Sequence, residues 1–175
     1  GITYGDAKSA AFTALPQTGT ATVAGSTVNG SFSIVEPDAL LAAGDSKTIT
    51  VRFTVTDEGA YKNATIDNTY TVKVARRGIS FSGITADNKV YDGTMSATLD
   101  STNAVFSGKL DGDKLTVAVT GYFVSKNVGT DKEVIIGTSS LGGDSVNNYK
   151  FDPLKVSQTT ATASITAKPV TLTWS

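Results

Sequence analysis

The 175-residue chain has no cysteine and no histidine. That removes Cys nucleophiles, Ser-His-Asp triads, thiolate zinc sites and imidazole metal sites together. It also removes disulfides, so any core must hold by packing alone, and compartment does not follow from the count. Charge is balanced, with 15 Lys and Arg against 16 Asp and Glu and no like-charged block. Nucleic acid needs a clustered basic face, so none is expected as a partner. No run approaches the roughly 18 apolar residues of a membrane-spanning helix, and no basic-then-apolar leader opens the chain, so no membrane insertion is expected. Only carboxylate chemistry stays open, and the chain is not expected to be an enzyme. It begins at Gly1 and stops at Ser175 within an apolar alternation, so it reads as a fragment of a longer protein.

What is present is period-two alternation. Thr48–Val55, Asn68–Val74 and Lys114–Val119 alternate apolar and polar side chains, as strands with one wet face do. Gly, Asn and Asp clusters separate such stretches at short intervals, which predicts an all-β sandwich or barrel. One segment reads as helical: Pro37–Gly44, a turn or two with an early Pro and a terminal Gly.

The tyrosines reveal a repeat. Tyr4-Gly5-Asp6 is followed 87 residues later by Tyr91-Asp92-Gly93; Tyr4 to Tyr61 is 57 residues and Tyr91 to Tyr149 is 58. Tyr61 and Tyr149 both precede Lys, and each leads toward a last Thr/Val-rich strand. The spacing predicts two tandem domains, 1–76 and 77–168, with 169–175 opening a third. Asp57-Glu58-Gly59-Ala60-Tyr61 reads as the tyrosine corner of an immunoglobulin-like sandwich, where the chain crosses between sheets, and Gly143–Tyr149 as a looser version. The Cys pair and core Trp of antibody domains are missing, so the expectation is Ig-like only.

Ile84–Thr94, Gly108–Leu115, Lys126–Thr130, Asn148-Tyr149 and Ile165–Pro169 resemble, in order, the bacterial repeat module called the YDG domain. Ile2-Thr3-Tyr4-Gly5 and Tyr61-Lys62-Asn63 are similar to a neighbouring class of bacterial Ig-like repeats. The resemblance implies a place in a large secreted or surface-attached bacterial protein, adhesins included. It implies a stalk or spacer that holds a distal domain away from the cell, and it supplies no catalytic residues. Neighbouring repeats of the same chain are then its partners, and the chain is expected to be a monomer. Short joins between end-to-end units would limit bending and give a rod. The alternative is a module binding a glycan or a host surface.

Several motifs carry a sharper reading beside a plain one. Leu15-Pro16-Gln17-Thr18-Gly19 fits the pentapeptide that sortases cut when anchoring proteins to Gram-positive walls. A sorting signal needs an apolar segment and a basic tail after it, whereas here the domain continues, so a strand-to-strand connection with φ fixed by Pro16 is expected. Asp111-Gly112-Asp113 offers hard oxygens for calcium, yet Asp-Gly is also a common hairpin turn, and no cofactor is expected. Lys73, Lys89 and Lys150 beside apolar residues, with Asn63, raise a Lys–Asn crosslink, although alternation turns Lys73 outward. Tyr122 and Trp174 are candidates for stacking on sugar rings. Asn29-Gly30-Ser31 and Asn63-Ala64-Thr65 fit the short glycosylation sequon.

Overall fold

The computed structural model describes residues 1–11, 17–36 and 39–174. The chain is all-β; helical geometry among the described residues is confined to short 3-10 turns at Lys8–Ala11 and Val146–Asn148. It divides into two compact units, Gly1–Arg77 with Asn147–Tyr149 and Gly78–Val146 with Lys150–Ser175.

The first unit is built on one sheet. Strands β1 (Ile2–Thr3), β2 (Thr18–Val23), β3 (Ser26–Ile34), β4 (Gly44–Val55) and β5 (Thr65–Ala75) lie in the order β1-β5-β4-β3-β2. All neighbours are antiparallel except β1, which runs parallel to β5 with Ile2 opposite Val74 and Thr3 opposite Ala75. The alternation expected at Thr48–Val55 is real: Ile49, Val51, Phe53 and Val55 are buried on one face of β4. Two phenylalanine rings on this face come close to glycines. A Cβ on Gly19 would stand 2.7 Å from Phe32 Cε2, and one on Gly30 would run into the Phe53 ring. Glycine permits that approach, and the Phe32 and Phe53 rings then meet with centroids 5.0 Å apart.

Two expectations change here. Ala39–Gly44 is not helical: Leu40 makes an antiparallel bridge with Ala7, and Gly44 already opens β4. Leu41 packs on the Ile34–Ile49–Val51 cluster. Burial thus outweighs the helical preference of a segment too short to nucleate alone; Pro37 and Asp38 lie outside the described residues. In the wall-anchor-like pentapeptide, Thr18 and Gly19 open β2, while the connection expected at Leu15 and Pro16 lies outside the described residues.

The second unit repeats this sheet and adds to it. Its strands are β6 (Arg77–Ser82), β7 (Thr85–Ala86), β8 (Lys89–Val90), β9 (Ser96–Ala97), β10 (Leu99–Asp100), β11 (Val105–Ser107), β12 (Thr116–Phe123), β13 (Gly129–Gly142), β14 (Tyr149–Phe151) and β15 (Thr160–Thr166), of which the first residues of β6 and β14, Arg77 and Tyr149, fall in the first unit. A five-stranded sheet has the order β8-β15-β13-β12-β9, and β8 runs parallel to β15. A three-stranded sheet, β11-β6-β14, and a β10-β7 pair supply further strands. Phe81 of β6 packs with Ile84, with Val117 of β12 and with Ile136 of β13, so one cluster joins the two larger sheets. A second cluster, Phe123, Val134, Ala163 and Ile165, fills the space beneath β8 and Tyr91. Each such fully buried aliphatic or aromatic side chain contributes about 1.5–3 kcal/mol.

Candidate functional site at the tyrosine-aspartate-glycine turn

The short opening strands β1 and β8 each run into a tyrosine whose N–H extends the parallel pairing by one bond. Tyr4 N donates to Ala75 O at 2.9 Å, and Tyr91 N donates to Thr166 O at 2.8 Å. A glycine with positive φ then turns the chain away, Gly5 at 100° and Gly93 at 80°, where a side chain would be strained. The aspartates of the two turns differ in what they hold. Asp6 Oδ2 accepts from Thr3 N at 2.9 Å. Asp92 Oδ1 accepts from Thr94 N at 2.8 Å and from Thr94 Oγ1 at 2.9 Å.

Lys89 completes the second turn. Its Nζ donates to Asp92 Oδ1 at 3.0 Å, to the carbonyls of Thr94 at 3.0 Å and Ser96 at 2.9 Å, and to Thr94 Oγ1 at 3.1 Å. The ammonium also stands 5.5 Å from the centre of the buried Phe123 ring. Hydrogen bonds from Thr94 N, from Lys89 and from the Thr94 hydroxyl hold the Asp92 carboxyl down at about 2. A carboxylate so stabilised is a poor general base at neutral pH. The arrangement fastens backbone: it gathers the ends of β8 and β9 around one cation.

Tyr91 also lines an open depression of ≈ 550 Å³ with Asn127, Val128, Ala167, Lys168 and Val170. Among the described residues, no three acidic side chains gather where a metal ion would sit. No helix there is long and apolar enough to cross a membrane.

The residues singled out in the sequence fall in several places. Tyr149 is 1 % exposed and stands where the chain leaves β13, passes the 3-10 turn at Val146–Asn148 and enters β14 of another sheet. Tyr61 does not make the matching corner. It lies exposed in the turn between β4 and β5, which are neighbours in one sheet. The Tyr-Lys dipeptide is therefore shared by two different connections.

Asp111 and Asp113 flank a turn at Gly112, where φ is 83°. Lys109 Nζ donates to the carbonyl of Asp113 at 3.0 Å, and the Ser145 hydroxyl donates to Asp113 Oδ1 at 3.0 Å. Tyr122 is 45 % exposed on the outer face of β12, back to back with buried Phe123. Trp174, 96 % exposed, follows β15 in a segment without regular structure.

Of the crosslink candidates, Lys73 is outward and pairs with Asp45 at 2.9 Å. Lys150 and Asn63 are exposed, and Lys89 is engaged as above, with no asparagine side chain among its partners. Asn29 Nδ2 is committed to Asp57 Oδ1 at 3.0 Å, and Asn29 N donates to Asp57 Oδ2 at 2.6 Å; these bonds lower the Asp57 pKa, the backbone bond most.

Two fasteners escaped the sequence reading. Lys89 and Asp92 had a signal, their i, i+3 spacing around the turn. Gln158 had none: its Oε1 accepts from Ile84 N at 2.8 Å and its Nε2 donates to Ile84 O at 2.7 Å, imitating a strand partner. Such a pairing across 74 residues exists only once the sheets are assembled.

No curated protein and no solved structure matches the chain. The YDG domain profile matches residues 75–163, from the end of β5 into β15, more than half of the chain. With the Tyr91-Asp92-Gly93 turn and its lysine fastener inside that match, the protein belongs to the YDG domain family.

Proposed function

We propose that the chain is a pair of Ig-like repeats serving as a non-enzymatic spacer in a secreted or surface-attached bacterial protein. One observation carries this reading: the same five-strand order, closed by the same parallel pairing of first and last strand, occurs twice in succession. A plan repeated in tandem, with cores drawn from each unit's own strands, suits extension of a chain by modules. The family match supports one unit directly. The Ig-like description rests on the buried Tyr149 at the passage between sheets. The turn chemistry points the same way, since its polar groups are spent on one another.

A spacer is exchangeable. In a surface protein carrying this chain between its anchor and a distal domain, replacing residues 1–168 with unrelated folded domains of equal length should leave the distal domain's binding intact. Binding lost on that exchange defeats the spacer role. Exposed Tyr122 favours a second reading, a carbohydrate-binding face. A glycan-array signal that disappears with Tyr122→Ala would establish it instead.

A further inference from the structure

Three dipeptides in the chain place an Asn or Asp before glycine: Asn29-Gly30, Asp92-Gly93 and Asp111-Gly112. With no side chain on the glycine, its backbone nitrogen can reach the preceding side-chain carbonyl carbon and close a cyclic imide. Closure needs a leaving group on that carbon, a side chain free to rotate and a backbone free to follow it. An ionised carboxylate offers no leaving group, so an aspartate must first be protonated. The three pairs stand in different surroundings.

Asn29 and Asp92 are both held. Asn29 Nδ2 donates to Asp57 Oδ1 and its N–H to Asp57 Oδ2, while Gly30 lies within β3, opposite Gly19 on one side and Val55 on the other. The Gly30 nitrogen reaches the Asn29 side chain only by leaving that ladder. Asp92 Oδ1 accepts from Thr94 N, from the Thr94 hydroxyl and from Lys89 Nζ, which also reaches Oδ2 at 3.2 Å. Its carboxylate is thus kept both still and ionised. Asp111 is the exception. Its exposed carboxylate takes no hydrogen bond or ion pair among the described residues. Gly112 has a φ of 83°, with nothing within 4 Å of the place a Cβ would occupy. The turn is pinned beside this pair and not at it, through Lys109 Nζ on the Asp113 carbonyl and the Ser145 hydroxyl on Asp113 Oδ1.

We propose that Asp111 is a site of spontaneous isomerisation, and that the fold spares Asn29 and Asp92 the equivalent ring closure. The Gly112 nitrogen attacks Cγ of the protonated Asp111 carboxyl. The N–Cγ bond forms, and the carboxyl hydroxyl leaves as water with the amide proton. Water then opens the imide at either carbonyl. Opening at Cγ restores aspartate; opening at the former main-chain carbonyl leaves isoaspartate, with the backbone running through the side chain and the old carbonyl carbon as a free carboxylate. One water leaves and one returns, so mass is unchanged and no other reactant is needed. The lengthened backbone falls between β11 and β12, beside the Asp113–Ser145 bond. The reaction is independent of the spacer role.

The test is to age the full chain for weeks at mildly acidic pH in heavy-oxygen water, then digest it and read the peptides by mass spectrometry. Each ring opening leaves one heavy oxygen behind, and fragmentation distinguishes isoaspartate from aspartate. Label and isoaspartate should accumulate at Asp111 about tenfold or more faster than at Asp92, the factor that one charge-assisted hydrogen bond withholds. Asn29 should stay an amide. In guanidinium, where the fold is lost, Asp92 should catch up with Asp111 and Asn29 should convert to acid. Asp111→Glu, at an exposed and unbonded position, should abolish labelling there, because the larger ring closes far more slowly. Equal labelling of Asp111 and Asp92 in the folded chain, labelling that survives Asp111→Glu, or a ratio that guanidinium leaves unchanged overturns the proposal.

Discussion

The two units solve one problem with different means. Each has a five-stranded sheet whose apolar face must leave water. The second covers that face with β6, β11 and β14, so Phe81 and Ile136 share a cluster contributed by two sheets. The first folds its own rings down, Phe32 over Gly19 and Phe53 over Gly30, and leaves Ile66 and Tyr70 in solvent. A strand plan can thus be kept while the covering layer changes.

This contrast can be broken by experiment. The largest effect is expected at Phe123, fully buried under the second unit's turn. Phe123→Ala should destabilise that unit by about 3–5 kcal/mol. Calorimetry should show one transition falling while the first unit's stays in place; a common shift of both would mean the cores are not separate. Next is Gly30→Ala. The added methyl meets the Phe53 ring and the Thr54 carbonyl, so a loss of about 1–3 kcal/mol is expected in the first unit alone, read from denaturant midpoints.

Gly93→Ala forces a side chain to φ 80° in the second unit's turn and should cost about 1–2 kcal/mol, although nothing lies within 4 Å of the new methyl. An unchanged melting temperature would show that the turn relaxes freely.

The smallest effect concerns acid. The Asp92 pKa is depressed, so its contribution to stability is complete above the ordinary carboxylate value near 4 and is lost as pH falls toward about 2. Asp92→Asn should flatten the second unit's stability between those limits. Asp57, lowered by Asn29, should impose a loss of the same sign on the first unit. Melts from pH 5 to pH 2 that leave the Asp92→Asn variant as acid-sensitive as the parent would remove the turn from this account.

The strands were legible because alternation along β4 and β12 is written in adjacent residues. The repeat was legible because Tyr4 and Tyr91 occupy equivalent sites, each donating to the end of its unit's last strand. The corner at Tyr61 was misread because Tyr-Lys is compatible both with a hairpin turn and with a passage between sheets. Only distant strands decide which one forms. Alternation through Asn68–Val74 correctly grouped Tyr70 with Val72 and Val74, but it could not reveal that Tyr70 stays half exposed. The Lys89 fastener was half visible in its spacing to Asp92. Its remaining acceptors are backbone carbonyls, which carry no signature in a sequence.

The parallel closure of the first unit has a mechanical consequence. Ile2 enters beside Val74, and the chain leaves past Ala75, so tension on the unit's two ends pulls adjacent parallel strands along their length in opposite directions. The hydrogen bonds between β1 and β5, with the Tyr4–Ala75 bond beyond them, are then loaded together in shear, not peeled apart singly. Resistance to pulling is set by the unfolding barrier and not by equilibrium stability. A two-residue strand that adds little to the folding free energy can therefore govern how long the unit survives under load.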